Sequence, residues 1–500
     1  MALSALPVGR GGELDHDRLS ELPDHILLCI LERLRGDVRV LARTCVLSRR
    51  WRTLPVMLSA LEININTFVV LTGGPSTLQR LHQATVMFTG AVRFFLATAT
   101  AGDQPRAVRY LRLVFCLTTD EHLRDIGQLV DAAIGRGKVR DLELVIHTNK
   151  GRNFLRRAPK VASITRCFAD RFMRLLGATP PAVFGSLRKL ALHNLRFRDA
   201  SDVGVLLRTC TALEILTLDY CGLSDQLSEL AIDAPPQPKL KVLCFDECYI
   251  RRIHLVQVPK LVTLICSRWL SESCPVTFGP GSVPYLQEII LNNRAEEQLS
   301  FSLSELLENV NNVETLRLAF GNGRVWLEPE NPKILGAAFS KLKMLNLMTV
   351  SPEGDLSWTM FLLQAAPLLQ LVDIEVYSND ICMEPDDDKD MEELEWEVPP
   401  GFRHRHLREL RVYGDIDATK DVRFARLVME RAVNLERLVL DARITCEECV
   451  AAQRQDPSVL LSKFPKDKDD VDAMVRQLKD GISTSARIIV YPTSMRKFEY

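Results

Sequence analysis

One spacing recurs through this chain and limits what it can fold into. A leucine is followed by two residues, a leucine, one residue, a leucine, two residues, a cysteine or substitute, one residue and a further apolar side chain. Leu213, Leu216, Leu218, Cys221 and Leu223 fill every position, as do Leu240, Leu243, Phe245, Cys248 and Ile250. Leu187, Leu190, Leu192, Leu195 and Phe197 repeat it with leucine in the cysteine slot, and looser copies begin at Val108, Val139, Leu261, Leu286, Val313, Leu342, Leu369, Leu407 and Leu435. The starts at 187, 213, 240, 261, 286, 313 and 342 are 21–29 residues apart, and the longer gaps near 150–186 and 380–406 read as insertions. Units this short cannot bury their own apolar face; each must close it against the next copy. The second and third leucines alternate on a strand and point inward, so the residue between them and those beside them point outward. Apolar return segments such as Asp202-Val203-Gly204-Val205-Leu206-Leu207-Arg208 predict helices on the opposite side. The expected fold class is α/β, a parallel curved sheet with helices on its convex side, slow to form because its strand pairings are non-local.

The spacing resembles the leucine-rich repeat, and the solenoid is expected over residues 59–450. In this register the outward strand residues are His193, Asp219, Asp246, Asn292, Arg317, Asn346, Asp373, Glu375, Arg411, Tyr413 and Asp441. As a group they are the candidates for contact with a target, although many of them are expected only to keep the face soluble. The set is acidic with two arginines, which points to a partner with basic character. Cys116, Cys221 and Cys248 fall in the slot after the strand, where a small apolar residue with a weak hydrogen-bonding group suits a tight interior.

A different pattern precedes the repeats. Pro23 suits a first helical turn, and Ile26, Leu27, Ile30, Leu31 and Leu34 follow at helical spacing, with Gly36 ending the helix. Asp37 can cap a second helix carrying Val38, Leu41 and Cys45, and Ser48 a third, Arg49 to Leu54, with Pro55 leading the chain out. Three short helices of about 40 residues bury too little surface to stand comfortably alone, so part of the stripe must pack on the next domain or on a partner. The run Leu22-Pro23, Ile26-Leu27, Ile30, Leu34 and Val46-Leu47-Ser48-Arg49-Arg50-Trp51 resembles the plant version of the F-box, in order and spacing. The resemblance implies a face that binds a Skp-family adaptor and, through it, a cullin. It assigns that contact to Leu22, Pro23, Ile26, Leu27, Ile30, Leu31, Leu34, Val46, Leu47 and Trp51. The expected plan is a flexible N-terminus (1–14), a three-helix F-box (15–58), the solenoid with an acidic insertion at about 380–400, and a C-terminal cap (451–500). That cap holds a helix-like stretch at 471–478 and an apolar strand at 486–491, in the region where plant relatives carry a small FBD domain, of which at most a remnant is visible.

The remaining sequence argues against other classes. With 500 residues and a net charge of −1, nothing global favours nucleic acid or a membrane surface. No apolar stretch approaches the roughly 18 residues of a membrane span. An odd count of 13 scattered cysteines with no secretory signal suggests reduced thiols and a nuclear or cytoplasmic location. Neither catalytic nor phosphate-binding signatures occur. Cys446 and Cys449 form a lone C-x-x-C without a second pair for zinc. His404 and His406 alternate with Arg403 and Arg405, and this short basic run is expected to neutralise the adjacent acidic segment, Glu384 to Glu393. No catalytic residue, metal or cofactor is expected. The sequence therefore reads as the substrate receptor of a Skp–cullin–F-box ubiquitin ligase. A binding scaffold outside any ligase and a hormone-sensing receptor are the alternatives.

Overall fold

The computed structural model describes residues 21–34, 37–69, 77–97, 108–148, 159–225, 229–234, 238–269, 274–293, 300–323, 325–352, 354–377, 396–442, 464–465, 467–492 and 498–499. Gly36, the acidic run and the C-x-x-C lie outside these residues. The chain forms two compact units, residues 1–143 and 144–500.

The first unit opens with three short helices, α1 (Asp24–Arg33), α2 (Val38–Thr44) and α3 (Arg49–Thr53). Pro23 is the residue before the first helical position, and the amides of Ile26 and Leu27 bond its carbonyl. Asp37 caps α2, its carboxylate accepting from the amides of Arg39 and Val40 at 3.1 and 3.2 Å, and Ser48 caps α3 by accepting from the amide of Trp51 at 3.2 Å. Pro55 opens a short 3-10 turn that leads into strand β1 (Ala60–Asn64). β1 pairs in parallel with β2 (Val108–Cys116), placing Leu61 beside Leu111 and Ile63 beside Leu113. Two longer helices, α4 (Thr77–Ala97) and α5 (Asp120–Gly135), pack on one another. The strand β3 (Val139–His147) carries the chain from the first unit into the second. Leu58, Leu61, Ile63, Asn66 and Phe68 place a further copy of the repeat over β1, ahead of those read from the sequence.

The second unit contains helix α6 (Pro159–Ala178) and a run of parallel strands. These are β4 (Leu187–His193), β5 (Ile215–Asp219), β6 (Val242–Asp246), β7 (Thr263–Ser267), β8 (Glu288–Asn293), β9 (Thr315–Gly323), β10 (Met344–Val350), β11 (Leu371–Val376), β12 (Glu409–Gly414), β13 (Arg437–Asp441) and β14 (Arg487–Tyr491). Each pairs with the next in chain order. The register keeps the leucine columns aligned: Leu192 meets Leu218, which meets Phe245, and Leu190 meets Leu216, which meets Leu243. All six are buried. The strand at the C-terminus, expected as part of a cap, continues this register, with Leu438 beside Ile488, and an antiparallel strand, Phe498–Glu499, then lies against it. Helix α9 (Lys468–Lys479) precedes it and packs on α8 (Lys420–Arg431).

The return segments depart from expectation. α7 (Ala200–Thr209) is the helix read from Asp202 to Arg208. Between β5 and β8, however, the return segments are strands, Glu229–Asp233, Arg252–Gln257 and Val276–Phe278, joined in a second parallel sheet. Their apolar residues alternate, Leu230 with Ile232, Ile253 with Leu255, Val276 with Phe278, and all are buried. A period of two fits a strand, and a short repeat leaves little chain for helical turns.

After β4 to β7 the chain turns through a residue with positive φ: Asn194, Tyr220, Glu247 and Arg268, at 47–59°. None is glycine, so the conformation is costly. The amide of each donates to a carbonyl of the following strand: Asn194 to Asp219 (3.0 Å), Tyr220 to Asp246 (2.8 Å), Glu247 to Ser267 (2.9 Å) and Arg268 to Asn292 (2.6 Å). The cysteine slot comes next. Cys221 Sγ donates to Leu192 O at 3.3 Å and Cys248 Sγ to Leu218 O at 3.2 Å, each reaching back one repeat. Further along, Trp269, Phe301, Trp326, Phe320, Trp358, Phe361 and Trp396 form a continuous run of rings with neighbouring centroids 5.1–6.4 Å apart.

Candidate functional site

Two surfaces gather the residues singled out from sequence, one in each unit. On the first, the three helices sort their apolar stripe into two sets. Leu27, Leu31, Val38, Leu41, Trp51 and Leu54 are buried within the chain. Ile26, Ile30, Leu34, Val46 and Leu47 stand exposed, with Val46 at 81% and Leu47 at 65%. Leu22 is half-buried and Pro23 exposed. Leu27, Leu31 and Trp51 therefore cannot be direct partner contacts as expected; they are the internal side of the same helices. The reason is geometric: successive columns of a helix lie about 100° apart, so 26/30 and 27/31 cannot face the same way. Arg50 fixes the assembly, bonding Asp24 Oδ1 through Nε (2.7 Å) and Leu22 O through Nη2 (2.5 Å). Burial of the exposed five would stabilise a complex by roughly 25 cal/mol per Å².

The second surface is the outward face of the parallel strands. Register places its side chains in rows. The middle row is Ala191, Thr217, Cys244, Ile265 and Ile290 on β4 to β8, then Arg317, Asn346, Asp373 and Arg411 on β9 to β12. The row at the strand ends holds His193, Asp219, Asp246, Ser267 and Asn292, and, farther on, Glu375, Tyr413 and Asp441. The expected outward residues thus lie on one face but do not converge on a single point. Asp219 is a correction: it is buried, its Oδ2 held 2.6 Å from Nδ1 of His193, whose ring stacks on His147 at 4.2 Å. Asp246 is also committed, at 2.6 Å to Arg268.

The charged half of the face is largely paired within itself. Arg317 Nε lies 3.2 Å from Glu288, Asn346 Nδ2 donates to Asp373 at 3.3 Å, and Glu409 takes both Arg411 (2.6 Å) and Arg437. Burial pushes the Asp373 carboxyl up, with Arg411 pulling against it, and burial raises Glu375 too. Tyr413 is pushed up to about 12 by burial and by the carboxylates of Asp373 and Glu375. The middle row of β4 to β8 carries no charge and has no such pairs to disrupt.

Three expectations concern chemistry. Burial raises the thiols of Cys210, Cys221, Cys244 and Cys274 to about 12 and of Cys116 to about 11, which keeps them protonated and poorly nucleophilic. Among the described residues, no group of histidine, cysteine and carboxylate is arranged to hold a metal ion. The basic run at Arg403 to His406 is not a free patch. His404 is buried, its Nε2 donating to Ala366 O (2.9 Å) while Nδ1 accepts from the amide of Leu407 (3.0 Å); His406 reaches Pro367 O. Sequence reading missed one cluster in the first unit: Arg112 bridges Glu62 (3.2 Å) and Glu143 (3.0 Å), and the Tyr110 hydroxyl bonds Glu143. Their alternation along β1, β2 and β3 was the available signal, obscured because the copy over β1, with Ile63 and Phe68 in place of leucines, does not stand out as a repeat.

Residues 173–472 match the family described as At1g61320/AtMIF1, LRR domain. The chain belongs to this leucine-rich-repeat family, among the plant F-box/LRR-repeat proteins. F-box/LRR-repeat protein At1g06630 of Arabidopsis thaliana is 26% identical to it over 398 residues, 76% of this chain and 91% of that relative. F-box/FBD/LRR-repeat protein At2g04230, also from Arabidopsis thaliana, is 26% identical over 390 residues, 75% and 78% of the two chains. Among solved structures, the leucine-rich repeat-containing protein LegL7 from Legionella pneumophila is a loose likeness at 12% identity and a TM-score of 0.26, spanning 85% of this F-box/LRR protein and 99% of LegL7.

Proposed function

We propose that this F-box/LRR protein is the substrate-receiving subunit of a Skp–cullin–F-box ubiquitin ligase, acting in the nucleus or cytoplasm. The observation that carries the reading is the sorting of α1 to α3. Their interior is closed by Leu27, Leu31, Leu41 and Trp51, yet Ile26, Ile30, Leu34, Val46 and Leu47 are left in solvent. Exposed aliphatic residues concentrated in so small a module mark a contact surface. In this reading the Skp-family adaptor covers them, with Pro23 and Leu22 alongside, and links the chain to the cullin. The target protein rests on the outward face of the strands, over the uncharged middle row of β4 to β8, where removing water breaks no ion pair. A lysine of the bound target then meets the conjugating enzyme's thioester at high effective concentration. The chain supplies position and no reacting group.

Co-purification tests it. The full chain, expressed with a Skp-family adaptor, is expected to retain that adaptor, and Leu22→Ala with Pro23→Ala to lose it. A chain that never retains the adaptor, or retains it equally in the variant, would sink the ligase reading and leave a free-standing scaffold.

A further inference from the structure

Beside the ends of β4 and β5, Arg196 and Phe197 pair with Gly222 and Leu223 in a two-stranded parallel ladder. The position follows the leucine of the cysteine slot, where the repeat turns away from the sheet. Arg196 is only 5% exposed. Its guanidinium lies over the ring of Tyr249, 5.6 Å from the centroid. Gly222, bridged to Tyr249, lets the two backbones meet, because a Cβ there would meet Tyr249 Cβ and its carbonyl oxygen at 2.8 Å.

A buried guanidinium ordinarily has a carboxylate beside it. Arg196 has none among the described residues, and its buried Nε has no hydrogen-bond partner. The aromatic face offsets part of the lost hydration. The other charged group bearing on Arg196 is a second guanidinium, Arg166 of α6, which makes the imbalance worse. Burial pulls Arg196 below the ordinary arginine range; Tyr249 works against it, and Arg166 adds a smaller downward pull. Arg166 is held in place: its Nε donates to Ser224 Oγ at 3.0 Å, and that hydroxyl donates to Phe197 O at 3.0 Å. Asp170, one turn along α6, is committed to Arg198 at 2.9 Å.

We propose that Arg196 and Arg166, the latter held in place by Ser224, form a binding site for an oxyanion of the phosphate type. A phosphate group offers oxygens to both guanidinium forks at once, and the planar fork matches that geometry. It also supplies the negative charge that the described residues around Arg196 withhold. The site involves neither the exposed residues of α1 to α3 nor the middle row of the sheet, so it does not rest on the ligase reading.

Thermal melting of the full chain tests it. Inorganic phosphate is titrated against chloride at constant ionic strength, then a phosphoserine peptide and its unphosphorylated twin. A saturable rise in Tm is expected with phosphate or the phosphopeptide and not with the twin. Saturation at lower concentration by the peptide would assign the anion to a phosphorylated side chain, and the reverse order to the free ion; either supports the site. Arg196→Met is expected to abolish the rise and Arg166→Gln to raise the half-saturating concentration about tenfold. Since Arg166 is exposed, that variant keeps the test alive should Arg196→Met fail to fold. No saturable rise with either phosphate source, or a rise undiminished in Arg166→Gln, would make Arg196 a structural plug over Tyr249 and overturn the proposal.

Discussion

Replacing Val46 and Leu47 by alanine separates docking from folding. Both side chains point into water, so the isolated chain has little to lose. Surface substitutions of this kind shift stability by at most about 0.5 kcal/mol. A partner that covers them gains what their exposure allows. Full burial of a valine or leucine contributes about 1.5–3 kcal/mol. Scaled by the 81% and 65% exposure, the two together stand to contribute about 2–4 kcal/mol. That corresponds to adaptor affinity weaker by about 30-fold to 1,000-fold. Biolayer interferometry with the full chain immobilised and the adaptor titrated measures this directly, with the melting temperature of each variant as the control. Leu27→Ala gives the contrast. That side chain is fully buried, and its loss is expected to cost about 2–5 kcal/mol of stability. An unchanged affinity in the folded Val46/Leu47 variant would refute the argument, because the two most exposed apolar residues of the module would then have no partner to meet.

Other outcomes follow from buried groups. Asp421, buried and bonded by the amide of Asp417 at 2.8 Å, has its carboxyl pushed up by burial to about 7 against an ordinary 3.8. The folded state therefore holds a proton that the unfolded state has released. Stability falls as pH rises from about 4 through 7, by on the order of 4 kcal/mol at most. Denaturant titrations at pH 5 and pH 8 are expected to show the decline, and Asp421→Asn to flatten it. His404 acts in the opposite direction. Burial holds it below the ordinary 6.5, so stability is retained above that value and lost as pH falls beneath it. His404→Ala leaves a buried carbonyl and amide unpaired and is expected to cost about 2–5 kcal/mol by chemical denaturation. In native alkylation followed by mass spectrometry, exposed Cys29 and Cys167 are expected to react while buried Cys221, Cys248 and Cys266 are spared; rapid modification of those three would contradict their burial.

What could be read from the chain follows the range of the forces involved. Strands β4 to β13 were visible because a parallel ladder buried on one face forces leucines to alternate, and that alternation is local. The caps Asp37 and Ser48 were visible for the same reason, since each bonds an amide two or three residues away. The division of the α1 stripe was not. Ile26 and Leu27 are chemically alike, and only the tertiary packing, which leaves one exposed and the other buried, decides which is covered. The return strands at 229–233, 252–257 and 276–278 were missed because helices were carried over from the clearer segment at 202–208. Pairings across a whole repeat were invisible: Asp219 reads as a solvent-facing carboxylate until His193, 26 residues earlier, is placed beside it. His404 shows the same effect at longer range. Flanked by arginines it reads as surface, yet its ring fills the space beneath Ala366, and the charge of Arg403 and Arg405 says nothing about which neighbour turns inward. Arg196 extends the argument to a residue type. No motif marks it in the sequence, and only its contact with the distant Tyr249 ring accounts for a buried guanidinium there. Wherever burial is set by a contact one repeat away, residue identity alone ranks a charged side chain as exposed, and those are the positions where the outward face must be tested residue by residue.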